Sequence, residues 1–179
     1  MKSQTTKDLE QCALNTFRKL GTFLCLEVGI NIKQEAFPIW YERALKYKDK
    51  DVVIPEPKKV QREITEIVDL LSWEKNKNIW RCYEIKSSVA DFNSGHHITF
   101  VGHFNYYIMP KEIYEKVQDK IPDYVGVYIP DGRWLVNIKK AKKQEPLVND
   151  ELLQYSLMKS LYRDVVKYRK LLNKNKIIF

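Results

Sequence analysis

Apolar positions recur at helical spacing over residues 5–20, TTKDLEQCALNTFRKL, where Leu9, Cys12, Ala13, Phe17 and Leu20 share one face. A threonine stands ready to cap that helix, and Gly21 is placed to stop it. Over 23–30, FLCLEVGI, the pattern becomes β-rich and almost wholly apolar, so it reads as a strand or as the tail of the helix, with Glu27 its one charge. From about 31 to 62 the periodicity lapses, and the prolines of IPEPKK break both helix and ladder. This stretch is expected to be an insertion in a single domain. ITEIVDLLSW (64–73) and IWRCYEIKSS (79–88) resume strand patterns on either side of the polar EKNKN, which predicts a hairpin.

VADFNSGHHITFVGH is expected to be a short helix or loop, FNYYIMP a further strand ended by Pro110, and KEIYEKVQDKI a helix burying Ile113, Val117 and Ile121. YVGVYIPDGRWLVNIK gives two short strands around an Asp131-Gly132 turn. A long helix over about 149–175, capped by Asn149 or Asp150, carries Leu152, Leu153, Leu157, Leu161, Val165, Tyr168 and Leu172 as its apolar stripe. The order of elements predicts an α/β fold with a mixed central sheet flanked by helices.

The hairpin raises the question of chemistry. With Asn76-Lys77 as a two-residue turn, Trp73 faces Trp80, Leu71 faces Cys82 and Asp69 faces Glu84. Two carboxylates directly opposite have Cβ atoms roughly 4.5–5.5 Å apart, and like charges that close repel unless a proton or a cation lies between them. Lys86 shares the Glu84 face because side chains alternate along a strand. Two interpretations stand at this level. One is a hard cation such as Mg²⁺ (or Mn²⁺) held by the two carboxylates beside a lysine that handles a water and a phosphate. The other is a solvent-facing ion pair worth ~0–1 kcal/mol.

Length and charge narrow the setting. At 179 residues the chain suits one domain, and no apolar run approaches the ~18 residues of a membrane span. The start, MKSQTTKDLEQ, lacks the pattern of a secretory leader, and three cysteines without C-x-x-C spacing suit thiols in a reducing cytoplasm. A formal net charge of +8 favours a polyanionic partner, DNA first. The runs KNKN (75–78) and KKAKK (139–143) could follow a phosphate backbone or be solvated faces. Tyr106, Tyr107, Tyr124 and Tyr128 suit half-buried packing better than base stacking. His96, His97 and His103 lack zinc spacing, and there is no phosphate loop, nucleophile elbow or dinucleotide motif.

An Asp followed across a turn by Glu-x-Lys resembles the active site of the PD-(D/E)xK nuclease superfamily. The likeness is closest to its MmcB-like DNA-repair group and related phage proteins. It runs through CLEVGI (25–30), EIVDLLSW (66–73), RCYEIKSSVADF (81–92), FNYYIMP (104–110) and VGVYIPDG (125–132), roughly half the chain. The resemblance implies a restriction-endonuclease-like fold and a Mg²⁺-dependent DNA nuclease, acting in the cytoplasm of a bacterium or of a phage's host. It implies Asp69, Glu84 and the Ile85 carbonyl as metal ligands, Glu27 as an additional acid, and Lys86 as the catalytic lysine. Ser88, Asp91 and Phe92 match the Ser-x-x-Asp-Phe that follows Glu-x-Lys, with Asp91 expected to cap a helix and Ser88 to lie at the nucleic acid. Val89 stands where the group has a basic residue, and His96 and His97 stand near where it has a lysine. The alternative is an inactive module of the same fold that binds DNA or a host protein, and the long C-terminal helix offers a surface for a homodimer.

Overall fold

The structure, a computed structural model, describes residues 2–19, 21–36, 45, 53, 55–94 and 100–174. The chain divides into two compact units, Met1–Ile30 with Ile67–Phe179, and Asn31–Glu66. In order, the elements are α1 (Gln4–Phe17), β1 (Thr22–Ala36), β2 (Val60–Glu74), β3 (Ile79–Ile85), α2 (Val89–Asn93), β4 (Phe104–Ile108), α3 (Lys111–Val117), β5 (Gly126–Asp131), β6 (Trp134–Lys139) and α4 (Asp150–Lys174). Strands occupy both ends of the stretch expected to be irregular, because β1 runs on to Ala36 and β2 begins at Val60. Within the smaller unit the Thr65 hydroxyl donates to Asn31 Oδ1 at 2.8 Å.

The fold is α/β with one mixed sheet of six strands in the order β1-β2-β3-β4-β5-β6. β3, β4 and β5 run parallel, while β2 and β6 pair antiparallel to β3 and β5. Strand alternation sends the central side chains to two cores. Tyr83, Ile85, Tyr106 and Ile108 meet Leu9, Ala13 and Phe17 of α1 on one face. Tyr107, Met109 and Val127 meet Phe92 of α2 and Ile113 and Val117 of α3 on the other.

Both boundaries of α1 differ from the sequence expectation for local reasons, while the start of α4 agrees with it. Ser3 caps α1, its Oγ accepting from Thr6 N at 3.1 Å, so the helix starts before the threonines. It ends at Phe17, and Gly21, at φ 78, makes the turn into β1 instead of stopping the helix. Asn149 caps α4 through Leu152 N at 2.9 Å, which leaves Asp150 to accept from Trp80 Nε1 at 2.8 Å and tie the helix to the hairpin. The apolar stripe of α4 is buried only in its first half, at Leu153 and Leu157; Val165 and Tyr168 are exposed. No helix among the described residues is long and apolar enough to cross a membrane.

Candidate active site

The β2–β3 hairpin has the expected register by a different turn. Trp73 pairs with Trp80 and Leu71 with Cys82, and the two indoles stack 5.2 Å apart at 6°. The loop is not a two-residue turn. Lys75–Lys77 form a turn of 3₁₀ helix and Asn78 takes the left-handed conformation at φ 49. Trp73 Nε1 donates to Asn78 Oδ1 at 3.0 Å, so an aromatic pair and its neighbour lock the loop together. The longer loop preserves the pairing because it adds one residue to each side of the expected turn.

That register brings the acids together at the carboxyl end of β3. Asp69, Glu84, Ile85 and Lys86 line one cleft of about 300 Å³, with Asp91 from α2 and Lys2 and Thr6 from the start of the chain. Asp69 Oδ2 accepts from Ile85 N at 2.8 Å, which fixes the carboxylate against the backbone beside Glu84. Glu84 and Lys86 are 2% and 5% exposed, so neither is the solvent-facing ion pair of the second interpretation. Burial pushes the Asp69 pKa up, against the opposing pull of the Ile85 amide and the Lys86 charge. Burial and the Glu84 charge push the Tyr107 phenol up to about 12, so it stays protonated beneath the site.

Glu27 is not among the residues that line this cleft. It takes φ 51 inside β1, a conformation costly for a residue with a side chain. The bend is held from α4: Arg163 Nη1 donates to Glu27 O at 2.8 Å and Nη2 to Leu26 O at 3.0 Å. The Glu27 carboxylate meets Lys2 Nζ at 2.9 Å, and Lys2 also pairs with Glu10. The Lys2 ammonium therefore links Glu27 to the cleft and holds its carboxyl below the usual range. Lys2, Glu10 and Arg163 were missed from the sequence because no local pattern relates them to a strand far along the chain.

Past β3, Ser88 and not Asp91 is the helix cap. Ser88 Oγ accepts from Asp91 N at 3.0 Å, while Asp91 Oδ2 reaches back to accept from Ser87 N at 3.0 Å. This reciprocal arrangement resembles a capping box and turns Asp91 into the cleft. His96 and His97 lie outside the described residues. His103 Nδ1 accepts from Trp80 N at 3.1 Å, which makes it a structural partner. Among the described residues no group of three or more His, Cys, Asp or Glu side chains is gathered as a metal cluster. Cys12, Cys25 and Cys82 are all buried thiols. Within KKAKK, Lys139 Nζ donates to Pro122 O at 2.7 Å and Lys142 pairs with Asp123, so part of that run is structural.

No family model matches the chain, and no curated protein matches it. Among solved structures it is similar to the SPO1766 protein of unknown function from Silicibacter pomeroyi, with a TM-score of 0.59 and 14% identity. The match covers 98% of this chain and 96% of that one. At that identity the likeness shows a shared fold.

Proposed function

We propose that the chain is a metal-dependent DNA nuclease with a restriction-endonuclease-like arrangement of its mixed sheet, serving DNA repair or processing in a bacterium or phage. The observation that carries this is the meeting of Asp69, Glu84 and Lys86 in one cleft at the end of β3. The donor set fits Mg²⁺ or Mn²⁺, which take one or two carboxylates and complete their shell with water and phosphate oxygens. Asp69 and Glu84, with the Ile85 carbonyl, would hold it. When bound, such a cation lowers the pKa of water and offsets phosphate charge.

The chain's own groups supply the rest. With Oδ2 committed to the Ile85 amide, Asp69 keeps Oδ1 for the cation. Lys86 has its backbone N–H fixed to Ile108 O at 2.9 Å, which sets the start of its side chain. Its ammonium orients the attacking water and stabilises the charge that grows on the phosphoryl oxygens. Lys2 adds a second cation at the cleft edge, where it can meet a flanking phosphate. The +8 net charge draws in the polyanion.

The reading is tested by Mn²⁺-dependent cleavage of supercoiled plasmid and of single-stranded DNA. Lys86→Ala and Asp69→Asn should each lose on the order of 10² or more in rate, the scale of one general acid–base or electrostatic group. Equal cleavage by wild type and both variants defeats it. A second reading, an inactive module of the same fold, is favoured by one observation: Glu27 is engaged by Lys2 and does not line the cleft that holds the two acids.

A further inference from the structure

A second cleft, of about 500 Å³, opens at the far end of α1 from the Asp69–Glu84 site, lined there by Phe17 and Lys19. Its floor is the α1 face of three neighbouring strands, each contributing a tyrosine: Tyr83 from β3, Tyr106 from β4 and Tyr128 from β5. The rings spend their faces on one another and on α1. Phe17 stacks on Tyr83 at 4.4 Å, Tyr83 on Tyr106 at 5.3 Å, and Tyr128 tilts against Tyr106 at 5.1 Å. Gly126 makes this possible, since a Cβ there would stand 2.4 Å from the Tyr106 ring. What the cleft receives from the tyrosines is therefore their phenol edges and not a stacking surface.

Arg81, two residues before Tyr83 on the same face, lines this cleft with Lys19 and Lys77. Its guanidinium packs on the Phe104 ring at 5.7 Å, which fixes its plane. Among the described residues Glu74 is the one carboxylate in the lining; it pairs with Lys77 at 2.7 Å and with Arg81 at 3.0 Å, leaving three cations to one anion there. Burial raises the pKa of all three phenols, while the Arg81 charge pulls each of them the other way. They therefore stay protonated donors at neutral pH. The Tyr83 phenol is buried and engaged by Ser72, but a guanidinium, two ammoniums and the Tyr106 and Tyr128 phenols still offer more donors than the two oxygens of a carboxylate can use, and suit the three terminal oxygens of a phosphate monoester.

We propose that the cleft between α1 and the hairpin is a phosphate-monoester site, separate from the Asp69–Glu84 cleft and independent of it. The chemistry is shared by inorganic phosphate and by the 5′-terminal phosphate of a nucleic-acid strand, and the test separates the two. Binding is measured in EDTA, so that failure of the metal-dependent reading leaves it untouched. The probes are inorganic phosphate, followed by calorimetry, and one short single-stranded oligodeoxynucleotide with a 5′-phosphate or a 5′-hydroxyl, followed by anisotropy. Wild type should bind inorganic phosphate, and should bind the 5′-phosphorylated strand about tenfold tighter than the 5′-hydroxyl strand, the scale of one charge-assisted hydrogen bond. Arg81→Gln and the double variant Tyr106→Phe/Tyr128→Phe should erase both effects. The double variant keeps every ring in place and so guards against a folding artefact. Phosphate binding without a preference between the strands assigns the site to the free anion. No phosphate heat together with equal binding of both strands, or full phosphate binding in Arg81→Gln, overturns it.

Discussion

Asp69 and Glu27 depend on pH in opposite senses, and the signs follow from their surroundings. Burial raises the Asp69 pKa, so the folded state holds that proton more tightly than the unfolded chain does. Stability from this group is complete below the ordinary aspartate pKa and is lost as pH rises through the raised one. Asp69→Asn keeps an acceptor for the Ile85 amide while removing the buried charge. It should melt as high as wild type or higher at pH 7, by a few degrees at roughly 2–4 °C per kcal/mol. The gap should close near pH 3 in a melting series, and a variant less stable at pH 7 would contradict the assignment. Lys2 lowers the Glu27 pKa, so that pair contributes above the ordinary glutamate range and fades as pH falls. With both side chains part-exposed, Lys2→Ala should cost no more than ~0–1 kcal/mol in denaturant melts. Asp69, Glu84 and Lys86 were legible in the sequence because alternation and pairing within one hairpin are local. Lys2 and Arg163 were not, since only the assembled fold brings them to β1.

Close packing between elements gives the next scale of test. Gly126→Ala would drive a Cβ into the Tyr106 ring and to 2.8 Å from the Ala141 amide. Overpacking of this kind costs roughly 1–3 kcal/mol, which chemical denaturation would read directly. Gly132→Ala is the control: the site is open but φ is 58, so its penalty should stay near ~1 kcal/mol. Arg163→Lys cannot reproduce the two-pronged grip on Leu26 O and Glu27 O, and should cost roughly 1–3 kcal/mol in the same measurement. At this scale the sequence located β2 to β6 and the hairpin register, and left β1 open between a strand and the tail of α1. It missed the turn type, since a four-residue loop and a two-residue turn yield one register. It also overextended the buried stripe of α4, because periodicity marks an apolar face and not the body that covers it.

For the whole molecule, the alternation of elements was sufficient to foresee a mixed α/β sheet. The division into two units was foreseen only as an irregular stretch, because β1 and β2 extend into residues whose composition reads as loop. Net charge acts here too. If about four phosphates are neutralised on duplex DNA, affinity should fall about 10²-fold between 50 and 200 mM salt. Lys75→Gln/Lys77→Gln should flatten the slope by about one or two units, seen in anisotropy titrations across salt, and an unchanged slope would remove that loop from the interface. The metal reading is tested most directly by calorimetric titration of Mn²⁺ into wild type, Asp69→Asn and Glu84→Gln. Wild type should show saturable binding that is lost in both variants. Identical heats for all three proteins would contradict a metal held by Asp69 and Glu84.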